Sequence, residues 1–249
     1  MIAQGIILPL NVIKEGESFN LSDQELWLVT IPDNASVQLN ISKAGSSMIC
    51  KLECNCILLL DRININATWG DLIYHKIRID ILSKLLAFID EAQNVKIAKN
   101  HDIYFNHIDF TELNVLDDRS AAESWFLSAY IERKEWINPL CDFLRNFEHY
   151  DLVRYLLSQS MGQNTLYDLG KTYGVSYSHF RRLCSSALGG KVKAELCNWR
   201  MAKAVFEIIE GESDMTSIAY KYGYSSSSHF SSDIKNRLGK TPRELCKKP

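Results

Sequence analysis

Leu166 to Pro242 read LYDLGKTYGVSYSHFRRLCSSALGGKVKAELCNWRMAKAVFEIIEGESDMTSIAYKYGYSSSSHFSSDIKNRLGKTP. The stretch states one pattern twice. Tyr173-Gly174-Val175-Ser176, His179-Phe180 and Leu188-Gly189 are answered by Tyr222-Gly223-Tyr224-Ser225, His229-Phe230 and Leu238-Gly239. The two His-Phe pairs lie fifty residues apart, and each Phe precedes its Gly by nine. In both copies a short helical run closes at a glycine, which supplies the positive φ of a tight helical turn. A serine then caps the next helix, Ser176 in the first copy and Ser225 in the second. Helix, glycine turn and helix at this spacing are a helix-turn-helix pattern.

The flanking residues complete both units. Asn164 or Thr165 caps the first helix of copy one and Asp214 that of copy two. Phe180, Leu183, Cys184 and Ala187 point inward in the first, and Ile218, Ala219, Phe230 and Ile234 in the second. Thr241-Pro242-Arg243-Glu244 opens a last short helix, with Pro at the first position and Glu closing a capping box. Between the copies, Leu196, Trp199, Ala202, Val205, Phe206 and Ile209 are expected to form the stripe of one connecting helix. Twenty residues at 1.5 Å rise span about 30 Å. Two helices entering successive major grooves on one DNA face must sit roughly 34 Å apart, so the connector matches that distance.

Upstream the period changes. Val37-Gln38-Leu39-Asn40-Ile41 and Ile63-Asn64-Ile65-Asn66-Ala67 alternate with the period of half-buried strands, and Pro32-Asp33-Asn34 and Lys43-Ala44-Gly45-Ser46 are turns. Residues 1 to about 80 therefore read as a small antiparallel β-module, in outline an abbreviated jelly roll. Cys50, Leu52, Cys54 and Cys56 are expected on the inward face of one strand. They lack the second ligand pair that a zinc site needs, so no metal is expected. Leu82, Leu85, Leu86 and Ile89 mark a helix over 81–93. Ser120-x-x-Glu123 reads as a capping box before Trp125 and Phe126. Trp136, Leu140, Phe143, Leu144 and Phe147 mark another helix near Pro139, and these aromatics are read as packing between two domains. The fold class is α+β, with domains at 1–118 (β-rich regulatory or partner module), 119–147 (helical connector) and 148–249 (double helix-turn-helix).

Charge follows this division. Residues 1–147 carry 13 Lys and Arg against 20 Asp and Glu, and residues 148–249 carry 15 against 10. An acidic half followed by a basic one is the layout of a polyanion binder with a control module. Seven cysteines without a disulfide framework suit a reducing compartment. The opening MIAQGIILPLNVIKEG has no basic start or cleavage site, and no apolar run reaches bilayer length; the expectation is a soluble cytoplasmic protein with no membrane partner. No nucleophile elbow, P-loop, dinucleotide fingerprint or His-x-x-x-His helix is present, so no catalytic residue is nominated.

The residues resemble the AraC/XylS transcriptional regulators over about 148–245. The carriers are Gly174-Val175-Ser176, Phe180-Arg181-Arg182-Leu183, Gly189, Trp199-Arg200-Met201-Ala202-Lys203-Ala204, Ile218-Ala219, Gly223-Tyr224-Ser225, His229-Phe230, Lys235, Gly239 and Pro242. Tyr177-Ser178-His179-Phe180-Arg181-Arg182, Ala187-Leu188-Gly189-Gly190-Lys191 and Ile81-Leu82-Ser83-Lys84-Leu85-Leu86 are similar in wording to the AraC-type activators of type III secretion genes in enteric bacteria. The resemblance implies an activator in the bacterial cytoplasm that binds double-stranded promoter DNA and works with RNA polymerase. It also implies a type III secretion chaperone as co-activator, and no cofactor. The alternative it leaves open is a small-molecule-responsive regulator with an effector pocket in the β-module.

Carried onto this chain, the family's DNA-facing positions are Ser178, Arg181 and Arg182 in the first unit. In the second they are Ser227, Ser228, His229, Ser231 and Ser232. Two consecutive arginines can reach guanine edges or phosphates. The second helix departs from the family at Ser232, where Arg is usual, and at Asp233, where an apolar residue is usual. Lys235 and Arg237 are expected to contact phosphate in compensation. His179 and His229, each just before an inward aromatic, suit a polar contact better than a pH switch.

Overall fold

The structure, a computed structural model, describes residues 6–95, 104–111, 113–160, 164–189, 191–211 and 214–245. Residues 1–5 of the opening stretch and Gly190 lie outside them. The chain forms two compact units, Met1–Asp151 and Leu152–Pro249.

In the first unit the strands are β1 (Ile7–Ile13), β2 (Ser18–Asn20), β3 (Gln24–Val29), β4 (Val37–Lys43), β5 (Ser46–Leu52), β6 (Cys56–Asp61), β7 (Asn64–Trp69), β8 (Leu72–Ile77) and β9 (Phe105–Asp109). They pair antiparallel in two sheets, β1-β8-β3-β6-β9 and β2-β7-β4-β5. The expected alternation holds. Val37, Leu39 and Ile41 of β4, opposite Ile65 and Ala67 of β7, point into the space between the sheets. Lys43 faces Ser46 across Ala44-Gly45, both at positive φ, the two-residue turn whose twist matches a hairpin. Trp27 stacks on Tyr74 at 3.8 Å to fill the middle of the sandwich. β9 falls within 95–114, a polar and mixed stretch in which the sequence shows no clear period.

The cysteine segment is not one strand. β5 stops at Leu52 and β6 starts at Cys56, with a turn between them. The Asn55 side chain accepts from the Ile31 N–H at 2.7 Å, and its carbonyl accepts from the Phe110 N–H at 2.9 Å. These two bonds hold the chain out of the ladder there, so Cys50 and Cys56 are buried while Cys54 is exposed. Burial pushes the Cys56 thiol up to about 12.

Helices α1 (Ile79–Ala92), α2 (Arg119–Ile131) and α3 (Ile137–Arg145) belong to this unit. The expected capping box at Ser120 is not formed. Asp118 caps α2 instead, accepting from the Ala121 N–H at 2.9 Å, and Glu123 pairs with Arg119 one turn away. Trp125 is stacked on Trp136 at 4.9 Å and edge-on to Phe110 at 5.4 Å. These aromatics are thus accounted for by packing inside the first unit. Asp90, fully buried on α1, accepts two bonds from the Arg145 guanidinium and one from the Tyr150 hydroxyl at 2.8 Å. A buried carboxylate is tolerated only with such partners.

The rest is helical: α4 (Glu148–Gln159), within which the two units divide, then α5 (Leu166–Tyr173), α6 (Tyr177–Leu188), α7 (Val192–Glu210), α8 (Met215–Lys221), α9 (Ser227–Leu238) and α10 (Pro242–Leu245). The order of antiparallel sheets with helices, then an all-helical region, is the expected fold class. No helix among the described residues is long and apolar enough to cross a membrane.

Candidate nucleic-acid interface

The first unit of the pair is built from α5 and α6. Thr165 caps α5 in a full capping box with Asp168. Gly174 then turns the chain at φ +89 and returns its N–H to the last carbonyls of α5. Ser176 caps α6 by accepting from the His179 N–H. Phe180 is fully buried against Tyr155 and Tyr173, and a Cβ at Gly170 would lie 3.2 Å from its ring. Gly170 therefore allows α5 and α6 to cross closely.

With Phe180, Cys184, Ala187 and Leu188 buried, the opposite face of α6 is solvent-exposed and carries Ser178, Arg181 and Arg182. These share one helical face by spacing. The Arg181 guanidinium sits 5.8 Å from the centre of the Tyr177 ring, and Arg182 lies 3.2 Å from Nδ1 of the half-buried His179. Among the described residues neither arginine meets a carboxylate. Tyr177 is not among the sequence candidates. It is exposed beside the more exposed Tyr167, ring centres 6.1 Å apart, and orients Arg181. A residue at the first position of a helix carries no periodicity signal by which to find it.

The second unit repeats the design with one shift. Asp214 caps α8, accepting from the N–H groups of Thr216 and Ser217. Gly223 turns the chain at φ +77. The cap of α9 is Ser226, not the expected Ser225: Ser226 Oγ accepts from the His229 N–H at 3.1 Å. The outer helices α6 and α9 start fifty residues apart, but the first helices and the turn glycines are forty-nine apart, so the second turn holds one extra residue. Tyr224 occupies that turn, packed on Phe230 at 4.8 Å, which defers the helix start by one position. Ser225 faces the His229 ring instead, 3.3 Å from Nδ1.

On α9, Ser228, His229, Ser232 and Lys235 are exposed, while Ser227 and Ser231 are half-buried. Arg237 is exposed but engaged. Its Nε pairs with Asp233 at 2.9 Å and its Nη1 donates to the Asn198 side-chain oxygen of α7. A cavity of about 270 Å³ opens beside these groups, lined by Cys197, Arg200, Tyr224, His229, Asp233 and Arg237 among others.

The connecting helix α7 has 19 residues, about 28 Å at 1.5 Å each. Its buried face differs from the expected stripe. Val192, Trp199, Met201, Ala204 and Ile208 are buried, whereas Ala202 is exposed, Phe206 is 67% exposed and Ile209 50%. Met201, Ala204 and Ile208 join Ile218, Ala219, Phe230 and Ile234 in the core of the second unit. One helix in contact with two successive packing partners need not keep one stripe, so periodicity misassigns its C-terminal half.

The matching family model is described as a helix-turn-helix domain and covers residues 169–248. The chain is 41% identical over 207 residues to the invasion protein InvF of Salmonella typhimurium, spanning 83% of this chain and 96% of InvF. It is 34% identical over 178 residues to the transcriptional regulator MxiE of Shigella flexneri, spanning 69% and 84%. Among solved structures, ToxT from Vibrio cholerae aligns over 95% of this chain and 96% of its own, at 13% identity and a TM-score of 0.38, too low to carry weight. With two helix-turn-helix units on one connecting helix and InvF matched over nearly its whole length, the chain belongs to the AraC-type DNA-binding transcriptional regulators related to InvF and MxiE, and is not an enzyme.

Proposed function

We propose that this chain is a sequence-specific activator of type III secretion and invasion genes in the bacterial cytoplasm. It binds promoter DNA through α6 and α9, recruits RNA polymerase, and uses a secretion chaperone as co-activator. The observation that supports this reading best is the unequal pair of faces carried by one α7. Among the described residues Arg181 and Arg182 of α6 meet no carboxylate, while α9 offers serines, His229 and Lys235. Small neutral groups give short hydrogen bonds but little counterion release, so the second half-site is held weakly. Base discrimination rests on the first unit. Weak binding by the chain alone suits a protein that needs a partner, and the N-terminal β-rich module, residues 1–118, is the proposed place for the chaperone.

The test is DNA binding by the purified full chain to fragments from upstream of type III secretion genes, with and without a secretion chaperone. Low affinity alone, a salt dependence of several counterions and a gain with the chaperone are expected. A tight footprint over both half-sites without any partner would sink the co-activator reading. Thermal stabilisation by a metabolite pool but by no chaperone would favour the effector-pocket alternative.

A further inference from the structure

The two units differ most where the family pattern is broken. At the positions of Leu183 and Ala187 in α6, α9 carries Asp233 and Arg237. Ala187 is buried and Leu183 half-buried, so the last turns of α6 are held by apolar contact. In the second unit that contact is replaced by a line of polar links. The Tyr224 hydroxyl, in the turn, donates to Asp233 at 2.9 Å; Asp233 pairs with Arg237 at 2.9 Å; Arg237 donates to Asn198 on α7. The line runs from the turn, across α9, to the connecting helix.

We infer that Asp233 is a positioning residue that fixes α9 against α7 through Tyr224 and Arg237, so that Arg237 serves as a strut and not as a phosphate contact. The inference rests on the reading that α9 faces DNA. The departure at Asp233 then has a purpose: a carboxylate in the place of an apolar residue lets a short, serine-rich helix keep one orientation without an apolar last turn. The outward serines can read DNA only if that orientation is fixed, because their reach is short. Burial, followed by the bond to Asp233, pushes the Tyr224 phenol up to about 12, so it remains a donor at any working pH.

The two roles for Arg237 give opposite signs. If it contacts phosphate, Asp233 competes for it, and Asp233→Asn tightens DNA binding. If it is a strut, Asp233→Asn loosens binding. The experiment titrates the full chain against a duplex selected from random sequence by the unaltered protein, at several salt concentrations. Asp233→Asn, Arg237→Ala and Tyr224→Phe are each expected to weaken binding by roughly 3- to 10-fold. The salt slope should stay unchanged, and the Asp233→Asn/Arg237→Ala double variant should be no weaker than Arg237→Ala alone. Tyr224→Phe keeps the ring on Phe230 and removes only the hydroxyl, so it tests the line even if a charge variant folds poorly. Tighter binding by Asp233→Asn, or a slope reduced by about one counterion in Arg237→Ala, overturns the inference. Lys235→Ala is the control for the underlying reading. A slope lowered by about one places α9 on DNA; an unchanged slope removes α9 from DNA, whatever the Asp233 variants do.

Discussion

The first helix-turn-helix unit covers the final two residues of its outer helix, and the second leaves them in solvent. Ala187 and Leu188 are covered, whereas Arg237 is exposed and Leu238 is 48% exposed. The inner frames are nearly the same: a capped first helix, a glycine at positive φ, a serine cap and a fully buried phenylalanine. The outer surfaces are not. α6 presents two arginines and closes with apolar residues; α9 presents serines and closes with an ion pair. The repeat therefore preserves what holds a unit together and varies what it shows to a partner.

If the frames are equal, removing their centres should cost equally. Phe180→Ala and Phe230→Ala each delete a fully buried ring and are expected to lower unfolding free energy by about 3–5 kcal/mol, read by denaturant titration. A Phe230→Ala loss well below that of Phe180→Ala would break the equivalence and make the second unit the looser one. The surfaces should then separate the copies. Arg181→Ala is expected to reduce discrimination against base-substituted duplexes by about 1–3 kcal/mol, while Ser231→Ala, fifty residues on, changes it much less. Competition binding with single-substitution duplexes measures both. Sequence preference left intact by Arg181→Ala would remove the first unit's assigned role.

The turns are expected to differ by less. Gly174 at φ +89 has open space around its would-be Cβ, and Gly223 at φ +77 has an Arg200 guanidinium nitrogen 3.2 Å away. Alanine at either site is strained by about 1–2 kcal/mol from the left-handed backbone alone. Gly223→Ala must also move Arg200, so it should unfold at lower temperature than Gly174→Ala. Equal melting temperatures would show that the Arg200 side chain yields without cost.

These features were unevenly legible in the sequence. The glycines, the inward Phe180 and Phe230, the Asp214 cap and, to within the pair Asn164 and Thr165, the cap of α5 could be read because each answers a local demand of backbone or burial. The Ser226 cap could not, since two serines in a row satisfy the local rule and the ring of Tyr224 decides between them. The buried face of α7 was hidden for a related reason: Phe206 and Ile209 fit a helical period as well as Ala204 and Ile208 do, and only the neighbouring α8 and α9 choose. The cap read at Ser120 falls two residues earlier, at Asp118, which accepts from the Ala121 N–H. On α9 the sequence marked Asp233 as out of place but not why, because Tyr224 comes to it from 9 residues upstream, and its partner Arg237 reaches Asn198, 39 residues upstream of that arginine.

The smallest difference expected between the copies is in acid. The hydrogen bonds from the Thr165 hydroxyl and N–H hold the Asp168 carboxyl below its ordinary 3.8; those from the Ser217 hydroxyl and the Ser217 and Thr216 N–H groups do the same for Asp214. A carboxyl whose folded pKa is depressed contributes stability above the unfolded value and loses it as pH falls through the folded one. Both caps are therefore intact above about pH 4 and are released progressively below it. Asp214 is itself the cap and accepts two backbone N–H groups, whereas Asp168 accepts one and leaves Thr165 as the cap when protonated. Acidification should thus fray α8 more than α5, and Asp214→Asn should flatten the acid limb of a helicity titration more than Asp168→Asn. Amide exchange followed separately at Thr216–Ser217 and at Asp168–Leu169 would resolve the two. Faster opening of α5 in acid would reverse the ranking of the caps and make the first unit the more acid-sensitive of the pair.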